Sequence, residues 1–354
     1  MPDKDISQTR VYVGMSGGVD SSLTAALLAE QGYQVTGVYM KNWTQDLPGM
    51  RCPWADDLSD AKRVAVQLGI DFKVFDFETE YREKVVGYMI DEYRIGRTPN
   101  PDIMCNQEVK FKLFLEAALE DGADYIATGH YAKVQGGQLL QAVDANKDQT
   151  YFLYRVTEQA LQKTLFPLGE FTKPEVREMA KERGLYTAGK KDSQGICFVG
   201  QIGIREFLGQ YVDQVAGKII DKQTGKVMGQ HDGAIFYTIG QRHGLDIGGG
   251  LPYYVVGKNM EANEVYITTN LNDEALWRES FSVTSVHWIS GSAPENGEYG
   301  IRVRHRAAIV PAELKKVNND EYTLSLANPE RAIAPGQSVV FYGEGVCLGG
   351  GIIA

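Results

Sequence analysis

Two segments carry residues able to do chemistry on a common substrate: "PNPDIMCNQEVKF" (99–111) and "KKDSQGICFVGQ" (190–201), each holding one cysteine. Pro99 and Pro101 restrict the residues before them and keep the chain extended. A helix is expected to begin near Asn106 or Gln107, with Asn106 as its N-cap. That puts Cys105 at a helix N-terminus, where a thiol pKa can fall from about 8.5 to about 3.5–7.5. Asp102 stands close enough to oppose that shift or to shuttle a proton. Cys197 follows Lys190 and Lys191 and precedes a helix expected near Gln201, and a neighbouring cation also favours thiolate. A cysteine can instead be a small buried hydrophobe, and that reading is stronger for Cys52 and Cys347.

A third segment, "GMSGGVDSS" (14–22), joins an apolar run to a helical one. Consecutive glycines let backbone N–H groups approach a ligand, and a helix N-terminus attracts an anion. Ser16, Ser21 and Ser22 add hydroxyls. Asp20 is out of place in an anion site unless it helps bind Mg²⁺ or orders the loop. The loop is neither a Walker A motif, since Val19 stands where Lys is needed, nor a G-x-G-x-x-G.

The elements around these segments alternate. Strands are expected at 11–15, 34–40, 71–77 and 124–130. Helices are expected at 21–31, 58–69, 79–95 and 109–122, and from the capping-box pair Thr172 and Glu175 to about Arg183. Such alternation implies parallel βαβ units in one sheet. Past about residue 210, glycine, β-branched residues and turn dipeptides dominate, as in one or two small β domains of barrel type. The expected division is 1–210, 211–278 and 279–354. In "RVRHR" (302–306), strand alternation would set Arg302, Arg304 and Arg306 on one face.

The bulk numbers narrow the class. The 354 residues hold 36 basic and 46 acidic side chains, a formal charge of −10, which argues mildly against a nucleic-acid coat but permits a local basic face. Four scattered cysteines are not a disulfide framework, no CxxC spacing supports a metal centre, and no run of 18 apolar residues suggests a membrane span. The polar N-terminus lacks a secretory h-region, so a cytoplasmic location is expected.

The loop at 14–22 resembles the SGG-x-DS pyrophosphate loop of the ATP-pyrophosphatase (PP-loop) superfamily, whose members split ATP between the α- and β-phosphates and adenylate a carbonyl oxygen. Together with "GRTPNPDIMCNQEVKF", "GADYIATGHYAKV", "NKDQTYFLYRV", "KDSQGICFVG", "YTIGQRHGL" and "PGQSVVFY", it makes the chain similar over nearly its whole length to the bacterial tRNA-specific 2-thiouridylase (MnmA) family. The resemblance implies an adenine nucleotide alpha-hydrolase-like, doubly wound parallel sheet, then a small central β domain and a C-terminal β-barrel that contacts tRNA. It implies an ATP site at Gly14, Met15, Ser16, Gly17, Gly18, Val19, Asp20 and Ser21, with Met40 and Gly129. Asn100, Pro101 and Asp102 would receive the target base, with Asp102 moving a proton. Cys105 would be the nucleophile and Cys197 the persulfide carrier. Contacts to tRNA would come from His130, Lys147, Asp148, Gln149, Arg304, His305 and Gln337, and Lys110, Lys112, Lys190 and Lys191 would extend a track for phosphates. The implied reaction is 2-thiolation of wobble uridine in the tRNAs for lysine, glutamate and glutamine. It would use ATP, Mg²⁺ and sulfur from a cysteine desulfurase or a relay protein, with a transient disulfide and no resident metal. A synthetase using ammonia would need the loop but neither cysteine; a thiol redox sensor or RNA-binding module would need no pyrophosphate release.

Overall fold

The computed structural model describes residues 5–46, 52–191, 203–248, 250, 252–318 and 320–354. Cys197 and the helix start expected near Gln201 lie outside the described residues. The first sheet is parallel throughout, in the order β3-β2-β1-β4-β7. Its strands are β1 (Arg10–Gly14), β2 (Gln34–Lys41), β3 (Asp71–Asp76), β4 (Tyr125–Ala127) and β7 (Thr164–Leu165). Val11 and Val13 are buried at the centre, as befits a strand covered on both faces. The crossovers are α1 (Val19–Glu30), α2 (Trp54–Leu68), α3 and α4. Helix α3 is built of three contiguous segments, Glu78–Tyr81, Arg82–Gly87 and Tyr88–Arg94, and α4 of Pro101–Met104, Cys105–Leu113 and Phe114–Glu120.

Helix α4 departs from expectation at its start. Asn100, extended at φ −114°, caps it by accepting a hydrogen bond from the Asp102 amide at 3.1 Å, and Pro101 is the first helical residue. A proline there loses nothing, because its missing N–H would have no intrahelical partner. Cys105 is therefore one turn inside the helix, not at its N-terminus, and Asn106 is no N-cap. From Cys105 to Leu113 the helix widens to π geometry, a feature that often marks working sites.

Further along come the hairpin β5 (Lys133–Gln135) and β6 (Gln138–Leu140), then α5 (Thr150–Leu153), α6 (Glu158–Gln162), α7 (Lys173–Glu182) and α8 (Ile204–Leu208). The capping box of Thr172 and Glu175 forms at the start of α7. The central sheet is open, in the order β10-β11-β8-β9, from β8 (Gly217–Asp221), β9 (Val227–His231), β10 (Tyr254–Asn259) and β11 (Glu264–Thr268).

The last six strands are β12 (Trp277–Trp288), β13 (Gly297–Arg302), β14 (Val310–Lys316), β15 (Glu321–Arg331), β16 (Ser338–Gly343) and β17 (Val346–Ile353). They run β12-β15-β14-β13-β16-β17 and close by pairing β12 with β17, giving a six-stranded barrel. Hairpin β5–β6 adds to this barrel rather than to the first sheet, with Leu139 opposite Cys347 and Leu140 opposite Val346. Cys347 is buried at that seam, where burial pushes its thiol pKa far up, consistent with a packing role.

The expected strand at 302–306 is not there. β13 ends at Arg302, and the chain turns, with Arg306 at φ 64° and the Ala307 amide donating to the Arg304 carbonyl. Arg302 is buried while Arg304 and Arg306 are exposed, so the three do not share a face.

Candidate active site

The glycine loop is shaped from both sides. Gly17 sits at φ +73°, where a side chain is strained, and its α-carbon faces the backbone of Asp57. Gly18 caps α1, and its carbonyl accepts hydrogen bonds from the Ser21 and Ser22 hydroxyls at 3.2 and 2.8 Å. The Ser16 amide donates to the Ser21 hydroxyl at 3.2 Å. Ser16 is exposed while Met15, Val19, Ser21 and Ser22 are buried, so of the three expected hydroxyls only that of Ser16 faces solvent, and those of Ser21 and Ser22 shape the turn instead. Gly129 closes the other side: a β-carbon there would stand 2.8 Å from the Asp20 carbonyl carbon and from the Ser21 nitrogen.

Asp20 is held rather than free. Lys173, at the start of α7, donates to both its carboxylate oxygens, at 2.7 and 2.8 Å, and the Tyr131 hydroxyl donates at 2.9 Å. Lys173 is 8% exposed. Of the two roles open to Asp20, ordering the loop is the one these bonds perform. Among the described residues no three His, Cys, Asp or Glu side chains are grouped to hold a metal ion. Sequence reasoning missed Lys173, reading "TKPE" only as a cap; nothing local marks a lysine that folds back onto a loop more than 150 residues earlier.

Helix α4 reaches the end of the glycine-loop strand at Phe114, nine residues past Cys105. A β-carbon on Gly14 would stand 2.9 Å from the Met40 methyl and 3.5 Å from the Phe114 ring, so the first strand, Met40 and the cysteine helix meet at one point. Cys105 is fully buried in the same core cluster as Met40, Phe114, Trp43 and Phe207. Cys52 belongs to that cluster too, its thiol 3.6 Å from the Trp43 carbonyl and its pKa raised by burial.

Cys197 lies outside the described residues, and Lys190 and helix α8 are described on either side of that stretch of sequence. Lys190 donates to Asp57 and Asp60 of α2, each at 2.7 Å, and Asp57 is the residue whose backbone abuts Gly17. Lys190 is thus spent on two carboxylates and is not a spare cation for a thiolate; Lys191 is exposed. Beyond the segment, Phe207 of α8 packs on Trp43 with ring centroids 5.6 Å apart. Of the lysines after Cys105, Lys112 pairs with Glu108 at 3.3 Å.

The expected tRNA-contacting residues divide. Arg304 is exposed and Lys147 half-buried. Gln337 sits in the turn before β16, where the neighbouring Gly336 presses on Arg97 and Thr98, and the Thr98 amide donates to the Pro335 carbonyl at 2.9 Å. That turn therefore borders the 100–102 segment. The His305 ring packs on Phe152 of α5, their centroids 4.6 Å apart and their planes tilted by 45°. Three others serve the interior. His130 is buried against Phe111 and Phe166, with Nδ1 2.7 Å from the Thr128 hydroxyl. Asp148 is 1% exposed and accepts from Arg302 at 2.8 Å. Gln149 accepts from the Tyr131 amide at 2.9 Å.

Burial lowers the pKa of four histidines, His130, His231, His287 and His305, the last to about 4, with Arg306 and Arg302 adding to the effect. A histidine lowered on folding costs nothing above about pH 6.5 and progressively more below it, because the unfolded chain takes the proton first. The melting temperature should therefore hold above about pH 7 and fall steadily from about pH 6.5 to about pH 5. A melting temperature constant over that interval would show that these rings are not held neutral.

A parallel α/β sheet with a glycine-rich first βα loop, continued by a four-stranded sheet and a closed six-stranded barrel, is the architecture of the PP-loop class. A family model described as tRNA methyl transferase HUP domain matches residues 9–201. Others described as tRNA methyl transferase PRC-barrel domain and aminomethyltransferase beta-barrel domain match 205–269 and 278–353. The chain is 48% identical over 352 residues, 98% of its length and 95% of the relative's, to tRNA-specific 2-thiouridylase MnmA of Bacillus thuringiensis (strain Al Hakam). It is as similar, over 353 residues, to the protein of that name from Bacillus mycoides (strain KBAB4). The chain belongs to the tRNA-specific 2-thiouridylase MnmA family. A 4-thiouridine synthetase in complex with RNA and ATP is 21% identical at a TM-score of 0.38, over 58% of this chain and 50% of that one, too distant to bear on the assignment.

Proposed function

We propose that this chain is an ATP-dependent tRNA-uridine 2-sulfurtransferase acting on wobble uridine in the tRNAs for lysine, glutamate and glutamine. The observation that carries the proposal is the packing of the Cys105 helix on the glycine-loop strand at Gly14, Met40 and Phe114, in a chain similar over nearly its whole length to 2-thiouridylases.

The chemistry follows from what each group can do. The 2-carbonyl of uracil is a poor electrophile, and its oxygen is a poor leaving group. Transfer of AMP from ATP to that oxygen, with loss of pyrophosphate, makes it a good one. The amides of Gly17 to Ser21 at the start of α1 suit the departing pyrophosphate. Mg²⁺ would enter with ATP as part of the substrate. A persulfide on Cys197 attacks carbon 2 and expels AMP. Cys105 then attacks the Cys197 sulfur of the resulting adduct, leaving sulfur on the base and a Cys105–Cys197 disulfide for an external dithiol to reduce. Asp102, on the first turn of α4, moves a proton on the base. The base must leave the anticodon stack for carbon 2 to be reached. The persulfide sulfur comes from a cysteine desulfurase or a relay carrier.

The names of the family models would instead suggest methyl transfer, which needs neither pyrophosphate release nor thiols. The two are separated by supplying ATP, Mg²⁺, cysteine with a cysteine desulfurase as the persulfide source, a dithiol reductant and unmodified lysine tRNA, with S-adenosylmethionine present. One 2-thiouridine should form per AMP released, and Cys105→Ser or Cys197→Ser should lower the rate by about 10³-fold or more. A methylated base formed from S-adenosylmethionine, with ATP untouched, would reject the proposal.

A further inference from the structure

Asp148 and Arg302 lie 154 positions apart and meet inside the protein, Arg302 Nη1 donating to Asp148 Oδ2 at 2.8 Å. Asp148 precedes α5, while Arg302 ends strand β13 of the barrel. Both are more than nine-tenths buried. The carboxylate also accepts from the Ala142 amide at 3.2 Å and from the Thr150 hydroxyl at 2.8 Å. The Arg302 guanidinium lies over the Tyr342 ring, 5.3 Å from its centroid, and the Tyr342 and Thr150 hydroxyls are 3.1 Å apart. Two further bonds fasten α5 to the barrel: the Tyr151 hydroxyl donates to the Ser338 carbonyl at 2.9 Å, and the hydroxyls of Tyr154 and Ser338 are 3.1 Å apart.

The opposite side of α5 faces the cysteine helix. The Phe152 carbonyl accepts from the Asn106 side-chain amide at 2.9 Å. Asn106 is buried and follows Cys105 directly, at the point where α4 opens into π geometry. One short helix therefore has the barrel on one side and the neighbour of Cys105 on the other.

We propose that Asp148 is a positioning residue: with Arg302 it forms a buried latch that fixes α5 on the barrel and, through Phe152 and Asn106, sets the place of Cys105. The proposal rests on Cys105 being the working thiol, and it gives Asp148 a role other than tRNA contact. A carboxylate is a poor partner for phosphate, and this one is enclosed and satisfied by three donors. A buried ion pair with a partner removed leaves an uncompensated charge, so the latch holds α5 in one place.

The test is a double-mutant cycle in the full-length protein with lysine tRNA, using Asp148→Asn and Asn106→Ala. Links in series give losses that do not add. Each single variant should lower kcat about tenfold with the KM for tRNA within about twofold, and the double variant should be no slower than the slower single. Each should also change the iodoacetamide alkylation rate of Cys105, followed by peptide mass spectrometry, at least about fivefold. If Asp148→Asn does not fold, Arg302→Lys, which keeps the charge and shortens its reach, takes its place in the cycle. Additive losses, an unchanged kcat, or a raised tRNA KM at unchanged kcat would overturn the latch. A wild-type protein that makes no 2-thiouridine would instead fail the functional proposal, while the alkylation rates would still report on the latch.

Discussion

Gly129→Ala is expected to abolish most ATP use without unfolding the protein. The added methyl would lie 2.8 Å from both the Asp20 carbonyl carbon and the Ser21 nitrogen, closer than such atoms can approach. Both are backbone atoms, so no side chain can swing aside. Either the first turn of α1 moves or the chain after β4 does. Overpacking of this kind costs about 1–3 kcal/mol of stability, which a chain of 354 residues should survive. In the proposed reaction, however, the loop amides hold a pyrophosphate to within a fraction of an ångström. A misplacement of about 1 Å is enough for a loss of about 100-fold, and that is the fall expected in tRNA-dependent pyrophosphate release. Circular dichroism and a melting curve close to wild type, beside that loss, would confirm a local cause. Unchanged pyrophosphate release would show that the nucleotide binds elsewhere.

The second large effect is expected from Lys173→Met. Removing one partner of a buried ion pair costs roughly 3–5 kcal/mol; the lower end applies here, because the Asp20 side chain keeps 31% of its exposure. The functional loss should be greater than the loss of stability. An unpaired carboxylate in the first turn of α1 would face the phosphates of ATP and repel them. Pyrophosphate release at fixed ATP should fall about 100-fold, mostly through a raised KM for ATP. The double variant Asp20→Asn with Lys173→Met removes the charge that Lys173 balances and should recover about a tenth of the wild-type rate or more. A double variant slower than Lys173→Met alone would mean that Asp20 is needed for itself, as a ligand of the Mg²⁺ that accompanies ATP.

Much of the fold is legible because it depends on local pattern. Val11 and Val13 read as a buried strand, Gly32 and Gly69 stop the first two helices, and Thr172 with Glu175 announces α7. The parallel sheet follows from the alternation, and the C-terminal barrel from the change in texture. The start of α4 departs from the sequence expectation although its signal is present: Asn-Pro-Asp is an N-cap, a proline at the first position and an acid in the first turn. Reading both prolines as extenders hid it. "RVRHR" misleads for a different reason. Alternating charge has the same period as a strand, but Arg302 pays for its burial through Asp148, which no local pattern predicts.

The glycine loop and the cysteine segments are legible as chemistry because paired glycines, clustered hydroxyls and a cysteine beside a helix start are local features of the sequence. What surrounds them is not. Lys173 on Asp20, Lys190 on Asp57 and Asp60, and hairpin β5–β6 on β17 are all encounters between distant parts of the chain. Each depends on the finished fold, and each changes the reading of a residue that looked solvent-facing or spare.

The proposed sulfur transfer runs between two cysteines 92 positions apart in the chain. The most direct measurement is a single turnover with protein carrying a persulfide on Cys197, ATP, Mg²⁺ and unmodified lysine tRNA, with no reductant, quenched in acid and digested for peptide mass spectrometry. The predicted result is one Cys105–Cys197 disulfide for each 2-thiouridine formed, and neither product when ATP is left out. Thiolated tRNA recovered from protein in which Cys105 is still a free thiol would contradict it.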